Sequence, residues 1–275
     1  MTVGEPIFRL EGVSYRYQSR HLALDRVDLT VEPGEQLVIL GANGSGKSTL
    51  LKILDGLYRP TSGRIWAFGD EVTDVADDPE RARELHRRVG LVFQDPDVQL
   101  FSPTVFDDVA FGPLQLGWPE ARVREQVERA LRAMDVLHLS DRAPYELSGG
   151  EKKRVAIATV LAMDPEVLLL DEPTANLDPR TRAVLVQLIR GMRELGKTVI
   201  LTTHELDIVP VLATRVVVFG DQERRPLAWG CPDEILGDVE LLVRANLIHE
   251  HAHWHGELLH THPHGHDSAH LHEHG

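Results

Sequence analysis

The first forty residues alternate short apolar stretches with turn residues. Residues 7–13 (IFRLEGV) and 23–31 (ALDRVDLTV) each predict a strand, and the second ends just before the turn pair Pro33-Gly34. Residues 37–40 (LVIL) are continuously apolar, which is typical of a strand covered on both faces. The chain is therefore predicted to begin with two strands followed by a third that is fully buried.

Three runs in the second half of the chain have the same character of a buried strand. They are residues 167–170 (VLLL), 198–202 (TVILT) and 216–219 (VVVF). Patterns of helical spacing, such as residues 180–195, lie between these runs, so strand and helix alternate. This alternation predicts an α/β domain built on a parallel sheet.

The middle of the chain has a different pattern. Between Pro119 and Leu137, apolar residues recur at helical spacing, and Arg and Glu occupy many of the other positions. The apolar positions are Val123, Val127, Leu131 and Met134. Proline is favourable at the first position of a helix, so we expect this helix to begin at Pro119. Residues 95–165 are predicted to form a mainly helical insert in the α/β domain.

The composition changes abruptly at about residue 249. Eleven of the fifteen histidines fall within residues 249–275, mixed with Glu, Asp, Gly and Pro. We find no period in this segment that would build a core, so we expect residues 249–275 to be a disordered tail. Residues 236–248, which precede the tail, are expected to form a C-terminal helical extension.

Length, charge and cysteine content narrow the range of functions. A chain of 275 residues is long enough for one large domain with a sizeable core. The formal net charge of −14 argues against a general nucleic-acid binder, because such proteins need a basic surface for phosphates. The single cysteine, Cys231, excludes an internal disulfide and a CxxC metal site, and it indicates a reducing compartment.

The sequence has neither the pattern of a signal peptide nor that of a membrane helix. Residues 1–12 (MTVGEPIFRLEG) lack the charged-then-apolar order of a secretion signal. The apolar runs are much shorter than the roughly 18 residues that a membrane span needs. If the protein serves a membrane, we expect it to act from the cytoplasm through a partner.

A phosphate-binding motif follows the first buried run. Residues 41–48 (GANGSGKS) match the pattern G-x-x-x-x-G-K-[ST], and a helix-like stretch, residues 49–55, comes next. Glycines let backbone N–H groups surround the β-phosphate of ATP at the positive end of the following helix. We expect Lys47 to contact the β- and γ-phosphates and Ser48 to ligate Mg²⁺. The motif leaves the class open, since kinases, GTPases, helicases and transporter ATPases all use it.

Two acidic residues, Asp171 and Glu172, directly follow the buried run 167–170. In a parallel sheet, the carboxyl end of this strand lies beside the phosphate loop, so Asp171 is placed to hold Mg²⁺ through water. Glu172 is placed to act as the general base that polarises the attacking water. By itself, an Asp-Glu pair after a strand is also common in solvated loops.

Residues 147–151 (LSGGE) decide between these classes. The sequence here resembles the ATP-binding-cassette (ABC) ATPase family, whose signature is LSGG followed by Gln or Glu. The resemblance covers roughly residues 5–235, and residues 249–275 lie outside it. It implies an α/β fold with a RecA-like parallel-sheet core, an N-terminal antiparallel β subdomain and a helical subdomain that carries the signature.

Other landmarks of the family follow in the expected order. Tyr17 matches the aromatic residue that stacks on adenine, and Gln94 matches the Q-loop glutamine that touches Mg²⁺ and the attacking water. Residues 175–178 (ANLD) match the D-loop, with Ala175 in place of the more usual serine. His204 matches the switch histidine that contacts the γ-phosphate.

The resemblance implies an ATPase whose catalytic residues are Glu172, His204 and Gln94. It implies Ser48, Gln94 and Asp171 as the residues that hold Mg²⁺. The implied nucleotide-binding residues are Tyr17, Gly41, Ala42, Asn43, Gly44, Ser45, Gly46, Lys47, Ser48, Thr49, Ser148, Gly149, Gly150 and Glu151. In this family the phosphate loop and the signature face opposite ways, so a second ATPase subunit, here a second copy of the chain, is expected to complete each site.

Residues 93–113 (FQDPDVQLFSPTVFDDVAFGP) resemble the energy-coupling-factor group of importers, which take up vitamins or transition-metal ions. The segment follows the Q-loop, where ABC ATPases receive the coupling helices of their transmembrane permease. Its acidic residues are candidates to bind arginines of such a helix, or they are simply solvated. They are Asp95, Asp97, Asp107 and Asp108. We therefore expect a peripheral protein at the cytoplasmic face of the cell membrane, with permease subunits as partners and no nucleic acid.

The tail favours a metal substrate, because neutral imidazole ligates Ni²⁺, Co²⁺, Zn²⁺ and Cu²⁺. The candidate ligands of a transition metal are His251, His253, His255, His260, His262, His264 and His266. Together with the importer resemblance, they favour a nickel or cobalt importer over the alternative, a vitamin importer. A non-transport ABC ATPase of the DNA-repair type is disfavoured, since only 101 positions separate Lys47 from Ser148 and leave no room for a long coiled coil.

Overall fold

The computed structural model describes residues 5–18, 20–255 and 258–265. The strands are β1 (Phe8–Tyr17), β2 (His21–Val31), β3 (Gln36–Leu40), β4 (Ser62–Ala67), β5 (Asp70–Glu71), β6 (Val89–Val92), β7 (Val167–Asp171), β8 (Thr198–Thr203), β9 (Arg215–Phe219), β10 (Pro226–Gly230), β11 (Ile248–His255) and β12 (Leu258–Gly265). The α-helices are α1 (Lys47–Leu54), α2 (Pro79–Arg88), α3 (Val105–Gln115), α4 (Glu120–Ala133), α5 (Gly149–Leu161), α6 (Pro179–Glu194), α7 (Val209–Leu212), α8 (Pro232–Gly237) and α9 (Val239–Arg244).

The central sheet has the strand order β10-β9-β3-β8-β7-β6. Its strands pair in parallel except for β10, which runs antiparallel to β9. The four apolar runs of the sequence form adjacent strands here, because a strand buried on both faces needs apolar residues at successive positions. The parallel-sheet core predicted from the sequence is confirmed.

The two faces of the central sheet belong to two different hydrophobic cores. Along β3, Val38 and Leu40 pack into the core shared with the helical insert, whereas Leu37 and Ile39 pack into the core shared with the N-terminal sheet. The helical side contains α3, α4 and α5, and none of the helices in the described residues is long and apolar enough to cross a membrane. Burial of each such aliphatic side chain stabilises the fold by about 1.5–3 kcal/mol.

A second, antiparallel sheet lies at the N-terminal side, with the order β2-β1-β4-β5. Its inward residues, such as Phe8 and Leu24, share a core with Leu50 and Leu54 of α1. This sheet therefore holds the helix that follows the phosphate loop. The predicted combination of an antiparallel β subdomain, a parallel core and a helical subdomain is confirmed.

The helix predicted from Pro119 to Leu137 is shorter at both ends. Pro119 has ψ of 144°, an extended value, so it precedes the helix and α4 begins at Glu120. Asp135, just beyond the other end, has φ of 54°, in the left-handed region, which no right-handed helix can include. The prediction that Pro119 is the first helical residue is wrong by one position.

The tail, residues 249–275, is predicted to be disordered, and the structure describes residues 249–255 and 258–265 of it. Residues 248–255 and 258–265 form β11 and β12, which pair antiparallel in a sheet of their own. Histidine at every second position offers no helical period, but it does fit the two-residue period of a strand. His251, His253 and His255 lie on β11, and His260, His262 and His264 lie on β12. His266 lies outside the described residues.

Candidate active site

The phosphate loop joins β3 to α1. The Gly41 N–H ties it to the neighbouring strand by donating to the Thr203 carbonyl at 3.3 Å. Gly46, which immediately precedes α1, has φ of +105°, and a Cβ atom there would lie 2.3 Å from the Ala23 carbonyl oxygen. Glycine is therefore required at this position, both for its φ and for the close approach of β2.

Lys47 brings a buried positive charge to the loop. Its side chain is 5% exposed, and its ammonium group donates to the carbonyls of Gly41 at 2.7 Å and Ala42 at 3.1 Å. The same nitrogen lies 3.1 Å from Glu172 Oε1. A charge held in this way is ready to compensate phosphate oxygens.

Oxygen-bearing side chains suited to Mg²⁺ stand next to Lys47. Ser48 Oγ donates to Asp171 Oδ1 at 2.9 Å, and Thr202 Oγ1 donates to the same carboxylate oxygen at 2.7 Å. Gln94 lies on the wall of the same cavity as Ser48. Hydroxyl, carboxylate and amide oxygens are the hard donors that Mg²⁺ prefers, so this donor set fits the ion.

Glu172 is buried at the carboxyl end of β7 with φ of 44°, an uncommon value for a residue other than glycine. Its N–H donates to the Thr202 carbonyl at 3.2 Å and to Thr202 Oγ1 at 3.1 Å, which fixes this backbone. Burial alone raises the pKa of Glu172, but the hydrogen bond from His204 and the charge of Lys47 outweigh burial and hold the pKa below its usual value. The side chain is therefore a carboxylate, the form that accepts a proton.

His204 follows β8, and its Nδ1 lies 3.0 Å from Glu172 Oε2. This hydrogen bond raises the pKa of His204, against the opposing effect of burial. The next residue, Glu205, accepts from Thr174 Oγ1 at 2.7 Å and lies 3.1 Å from Arg182 Nε. This buried network holds the backbone beside His204 in place.

A cavity of about 440 Å³ opens over these groups, a size typical of small-molecule sites. Most of the predicted residues of the phosphate loop lie on its wall, together with residues from distant parts of the chain. The predicted residues on the wall are Tyr17, Asn43, Gly44, Gly46, Lys47, Ser48, Thr49, Gln94 and Glu172. The other predicted residues of this region lie off the wall. Asp171 contacts Ser48 and His204 contacts Glu172, whereas the remaining three belong to the phosphate loop itself: Gly41, Ala42 and Ser45.

Tyr17 forms one side of the cavity and is 37% exposed. Its hydroxyl lies 3.0 Å from Thr49 Oγ1, and its ring packs edge-on against Tyr58 with centroids 5.9 Å apart. The ring is thus held in place at the cavity, where an aromatic face can stack on a planar base.

Arg224 also lies on the wall, although the sequence did not point to it. Its Nη1 comes within 3.8 Å of the point that a Cβ atom on Gly44 would occupy, and its carbonyl accepts from the Asp25 N–H at 2.9 Å. The segment between β9 and β10 has no motif. It reaches the phosphate loop because β9 lies next to β3 in the sheet. This strand order cannot be read from the sequence alone.

Lys153 is a second buried lysine that sequence reasoning missed. It extends from α5 and donates to the carbonyls of Glu172 at 3.2 Å and Ala175 at 2.6 Å. Burial lowers the pKa of this lysine. It links α5, which follows the signature, to the backbone of Glu172.

The signature residues are not part of this cavity. Ser148 caps α5 by accepting from the Glu151 N–H at 3.4 Å, and Glu151 Oε2 accepts in return from the Ser148 N–H at 2.8 Å and from Ser148 Oγ at 2.7 Å. Either Glu or Gln closes such a capping box, so Glu151 in place of Gln keeps the helix start intact. Ser148 and Gly149 are exposed, and Gly150 is buried against Thr181.

The acidic residues after Gln94 are largely used within the chain. Asp97 pairs with Lys152 at 2.6 Å, and Asp107 accepts from Thr104 Oγ1 at 2.6 Å. Asp108 is buried, and its Oδ1 accepts from the N–H groups of Phe101 and Ser102 at 3.1 and 2.9 Å. Asp108 therefore stabilises the loop and is not a surface site for an arginine, contrary to the sequence interpretation.

Comparison with known proteins agrees with this geometry. Residues 24–175 match the sequence profile described as ABC transporter. The chain is 50% identical to the nickel import ATP-binding protein NikO of Rhodobacter capsulatus over 247 residues, 88% of this chain and 96% of that protein. It is 49% identical over 272 residues to an ABC transporter ATP-binding protein of Methanosarcina acetivorans, with 98% of both chains covered. That alignment reaches into the histidine-rich tail.

Two solved structures are similar throughout the cassette. One is cbiO1 from Clostridium perfringens, described as part of the ABC transporter complex cbiONQ, with a TM-score of 0.77 and 40% identity over 89% of this chain and 96% of that chain. The other is a dimeric ATP-binding cassette in a post-hydrolysis state with bound ADP and Pi. Its TM-score is 0.73 and its identity 29%, over 82% of this chain and 98% of that chain.

Proposed function

The chain belongs to the ABC transporter family of ATP-binding subunits, and from this premise we propose that it drives an energy-coupling-factor type importer for nickel or cobalt ions. ATP-binding subunits of ABC transporters are ATPases. The observation that carries the substrate is the 50% identity to NikO, a nickel import ATP-binding protein, along 96% of its length. The similarity to cbiO1, part of an ABC transporter complex, supports a role beside a permease.

The geometry of the site supports hydrolysis by an activated water molecule. Glu172, held as a carboxylate, accepts the proton of the water, and Lys47 compensates the charge on the β- and γ-phosphates. His204, whose pKa is raised, donates to the γ-phosphate as negative charge builds in the transition state. Ser48, Asp171 and Gln94 are the residues that would hold Mg²⁺, which neutralises phosphate charge when bound.

A second copy of the chain is proposed to complete each site. The signature at the start of α5 lies outside the cavity that contains Lys47 and Glu172, so one chain presents two separate half-sites. Ser148 and Gly149 are exposed and their helix N-terminus is positively polarised, which suits a γ-phosphate offered by another subunit. The similar cassette with bound ADP and Pi is a dimer.

The permease is proposed to dock in an apolar groove beside the Q-loop. The groove has a volume of about 540 Å³, and Phe93, Phe111 and Met163 are among its lining residues. Asp55 also lines it, and burial raises the pKa of this carboxyl well above its usual value. A helix with apolar residues and one cationic side chain complements such a groove, because the cation stabilises the buried carboxylate.

A vitamin importer is the second candidate for the same ATPase. The chain is 42% identical to the energy-coupling factor transporter ATP-binding protein EcfA2 of Methanospirillum hungatei over 243 residues. That name states the transporter type and leaves the transported substrate open. The cassette itself supports both candidates, so the transported substrate must decide between them.

Transport by the reconstituted complex tests the proposal. The tagged chain is purified from membranes with its permease, placed in liposomes with ATP, and assayed for uptake of ⁶³Ni²⁺, ⁵⁷Co²⁺ and a panel of radiolabelled vitamins. We expect ATP-dependent uptake of nickel or cobalt, and no uptake with Lys47→Ala. Uptake of a vitamin instead would overturn the metal substrate and keep the ATPase role, whereas absence of ATP hydrolysis would overturn both.

A further inference from the structure

The backbone of Glu172 has a conformation that other groups must hold in place. Its φ of 44° lies in the left-handed region, which is unfavourable for a residue with a side chain. In this conformation Glu172 Oε1 lies 3.1 Å from Lys47 Nζ, and Oε2 lies 3.0 Å from His204 Nδ1. Because the backbone sets the direction of the side chain, relaxation of φ would turn the carboxylate away from both partners.

Both polar groups of the Glu172 main chain are fixed by other elements. Its N–H donates to the carbonyl and the hydroxyl of Thr202, on β8, at 3.2 and 3.1 Å. Its carbonyl accepts from Lys153 Nζ and from the Ala175 N–H, each at 3.2 Å. The main chain of Glu172 is therefore held from β8 at its nitrogen and from α5 at its carbonyl.

Lys153 also closes the turn that follows Glu172. Its ammonium group donates to the Ala175 carbonyl at 2.6 Å as well, so one lysine contacts both ends of the turn 172–175. We call these two hydrogen bonds the lysine clamp. The lysine is 9% exposed, and the negative charges of Glu205 and Glu172 lie near its ammonium group. Lys153 does not line the cavity, so the clamp acts on the shape of the turn and not on the nucleotide.

We propose that Lys153 is a positioning residue for ATP hydrolysis, whose clamp on the turn 172–175 keeps the Glu172 carboxylate in reach of the attacking water. This role rests on the proposed function of Glu172 as the general base. Lys153 lies in the second turn of α5, the helix that Ser148 caps. The clamp therefore attaches the helix that would meet the nucleotide of a second subunit to the turn that places the carboxylate of its own subunit.

Lys153→Met tests the clamp, because methionine keeps the unbranched apolar part of the side chain and lacks the ammonium group. A displacement of about 1 Å at a catalytic group can slow a reaction by about 10²-fold, so we expect kcat to fall by roughly 10²-fold. The Kd for ATP, measured by titration with a fluorescent nucleotide, should equal that of the wild type, since Lys153 lies off the cavity wall.

Lys197→Met is the matched control. Lys197 is a half-buried lysine that donates to the Pro165 carbonyl at 2.7 Å and to Asp164 at 2.6 Å, and it does not line the cavity. Its substitution removes a comparable set of hydrogen bonds elsewhere in the fold, so kcat and the Kd for ATP should both stay at the wild-type values. Lys153→Arg, which keeps a cationic donor, should retain more of the wild-type kcat than Lys153→Met.

A double variant shows whether Lys153 acts through Glu172. Single-turnover hydrolysis of ATP labelled with ³²P at the γ position compares Glu172→Gln with Glu172→Gln/Lys153→Met. Neither protein has a carboxylate for the clamp to place, so the two rates should agree within about twofold.

Four results would overturn the clamp and leave Glu172 as the general base. They are a wild-type kcat in Lys153→Met, an equal loss of kcat in Lys197→Met, a Kd for ATP that rises in Lys153→Met, and a double variant slowed relative to Glu172→Gln as much as Lys153→Met is relative to the wild type. Wild-type hydrolysis by Glu172→Gln would instead overturn the general base, and the clamp with it.

Discussion

At the scale of single residues, the site depends on buried charges that compensate one another. Lys47 and Glu172 are both nearly inaccessible to solvent, and their charged atoms lie 3.1 Å apart. Removing one partner leaves the other as an unpaired buried charge, which is costly. Substitutions in this group therefore affect both function and stability, and binding and turnover must be measured separately.

Lys47→Ala and His204→Ala are expected to fail at different steps. Lys47→Ala should weaken ATP binding by roughly 3 kcal/mol or more, because charged hydrogen bonds to phosphate contribute about 1.5–3 kcal/mol each. His204→Ala should bind ATP normally and lose hydrolysis by roughly 10²–10³-fold, since its contact strengthens in the transition state. Fluorescent-nucleotide titration and steady-state ATPase assays separate the two effects. Wild-type turnover by His204→Ala would contradict the role of the histidine.

The pKa of His204 is expected to fall in Glu172→Gln, because the hydrogen bond to Glu172 raises it in the wild type. NMR titration of the His204 imidazole measures this change. The raised pKa means that the contribution of His204 to stability is complete below its ordinary pKa of about 6.5 and is lost as the pH rises through the raised value. An unchanged pKa in the variant would show that Glu172 does not hold the imidazole.

Arg224 is expected to contribute to nucleotide affinity. Arg224→Ala should raise the Kd for ATP by roughly tenfold, about 1.4 kcal/mol, with hydrolysis at saturating ATP close to that of the wild type. Arg225→Ala is the matched control, since Arg225 is exposed and lies off the cavity wall. Calorimetric titration with a non-hydrolysable ATP analogue gives the Kd of each variant. Equal changes of Kd in Arg224→Ala and Arg225→Ala would show that Arg224 is not part of the site.

The residues of the phosphate loop were predictable because their chemistry is local in the sequence. The motif of residues 41–48 combines consecutive N–H groups with one lysine, which is the chemistry that phosphate needs, and the cavity wall contains most of these residues. Arg224 and Lys153 were not predictable in this way. They reach the site through sheet order and helix packing, and neither belongs to a motif that marks it.

At the scale of elements, the sequence predicted buried strands better than exposed elements. The continuous apolar runs became β3, β7, β8 and β9 because both faces of these strands are covered. Helix α2 escaped prediction because Leu85 is its buried residue and most of its other side chains are polar. The short strand β5 is exposed, and β4 buries Ile65 and Ala67 within six residues, so neither strand shows a long apolar period.

Packing of α5 on β6 depends on a glycine. A Cβ atom on Gly90 would lie 2.1 Å from Val160 Cγ1, so Gly90→Ala should destabilise the fold by about 1–3 kcal/mol. Gly191→Ala, in α6, has open space at its Cβ position and should instead stabilise the fold by about 0.8–1 kcal/mol. Chemical denaturation of the two variants tests this contrast. A Gly90→Ala protein as stable as the wild type would show that α5 can shift away from β6 at little cost in free energy.

In the molecule as a whole, the two parts of the proposed site do not meet within one chain. The cavity with Lys47, Glu172 and Tyr17 lies apart from the signature at the start of α5. The sequence predicted this division only through its resemblance to a family, because neither composition nor periodicity states which way a loop and a helix end face. An assembly of two copies is the simplest way to complete the site.

The size of the Glu172→Gln protein with ATP and Mg²⁺ shows whether two chains assemble around ATP. If Glu172 is the general base, its replacement by Gln keeps the shape of the site and prevents hydrolysis, so bound ATP should hold two chains together through Lys47 of one and Ser148 of the other. Light scattering after size-exclusion chromatography should show a dimer with ATP and a monomer without it. Adding Ser148→Arg to the same protein should abolish the dimer while ATP binding persists. A monomer of Glu172→Gln at saturating ATP would contradict a site shared between two chains.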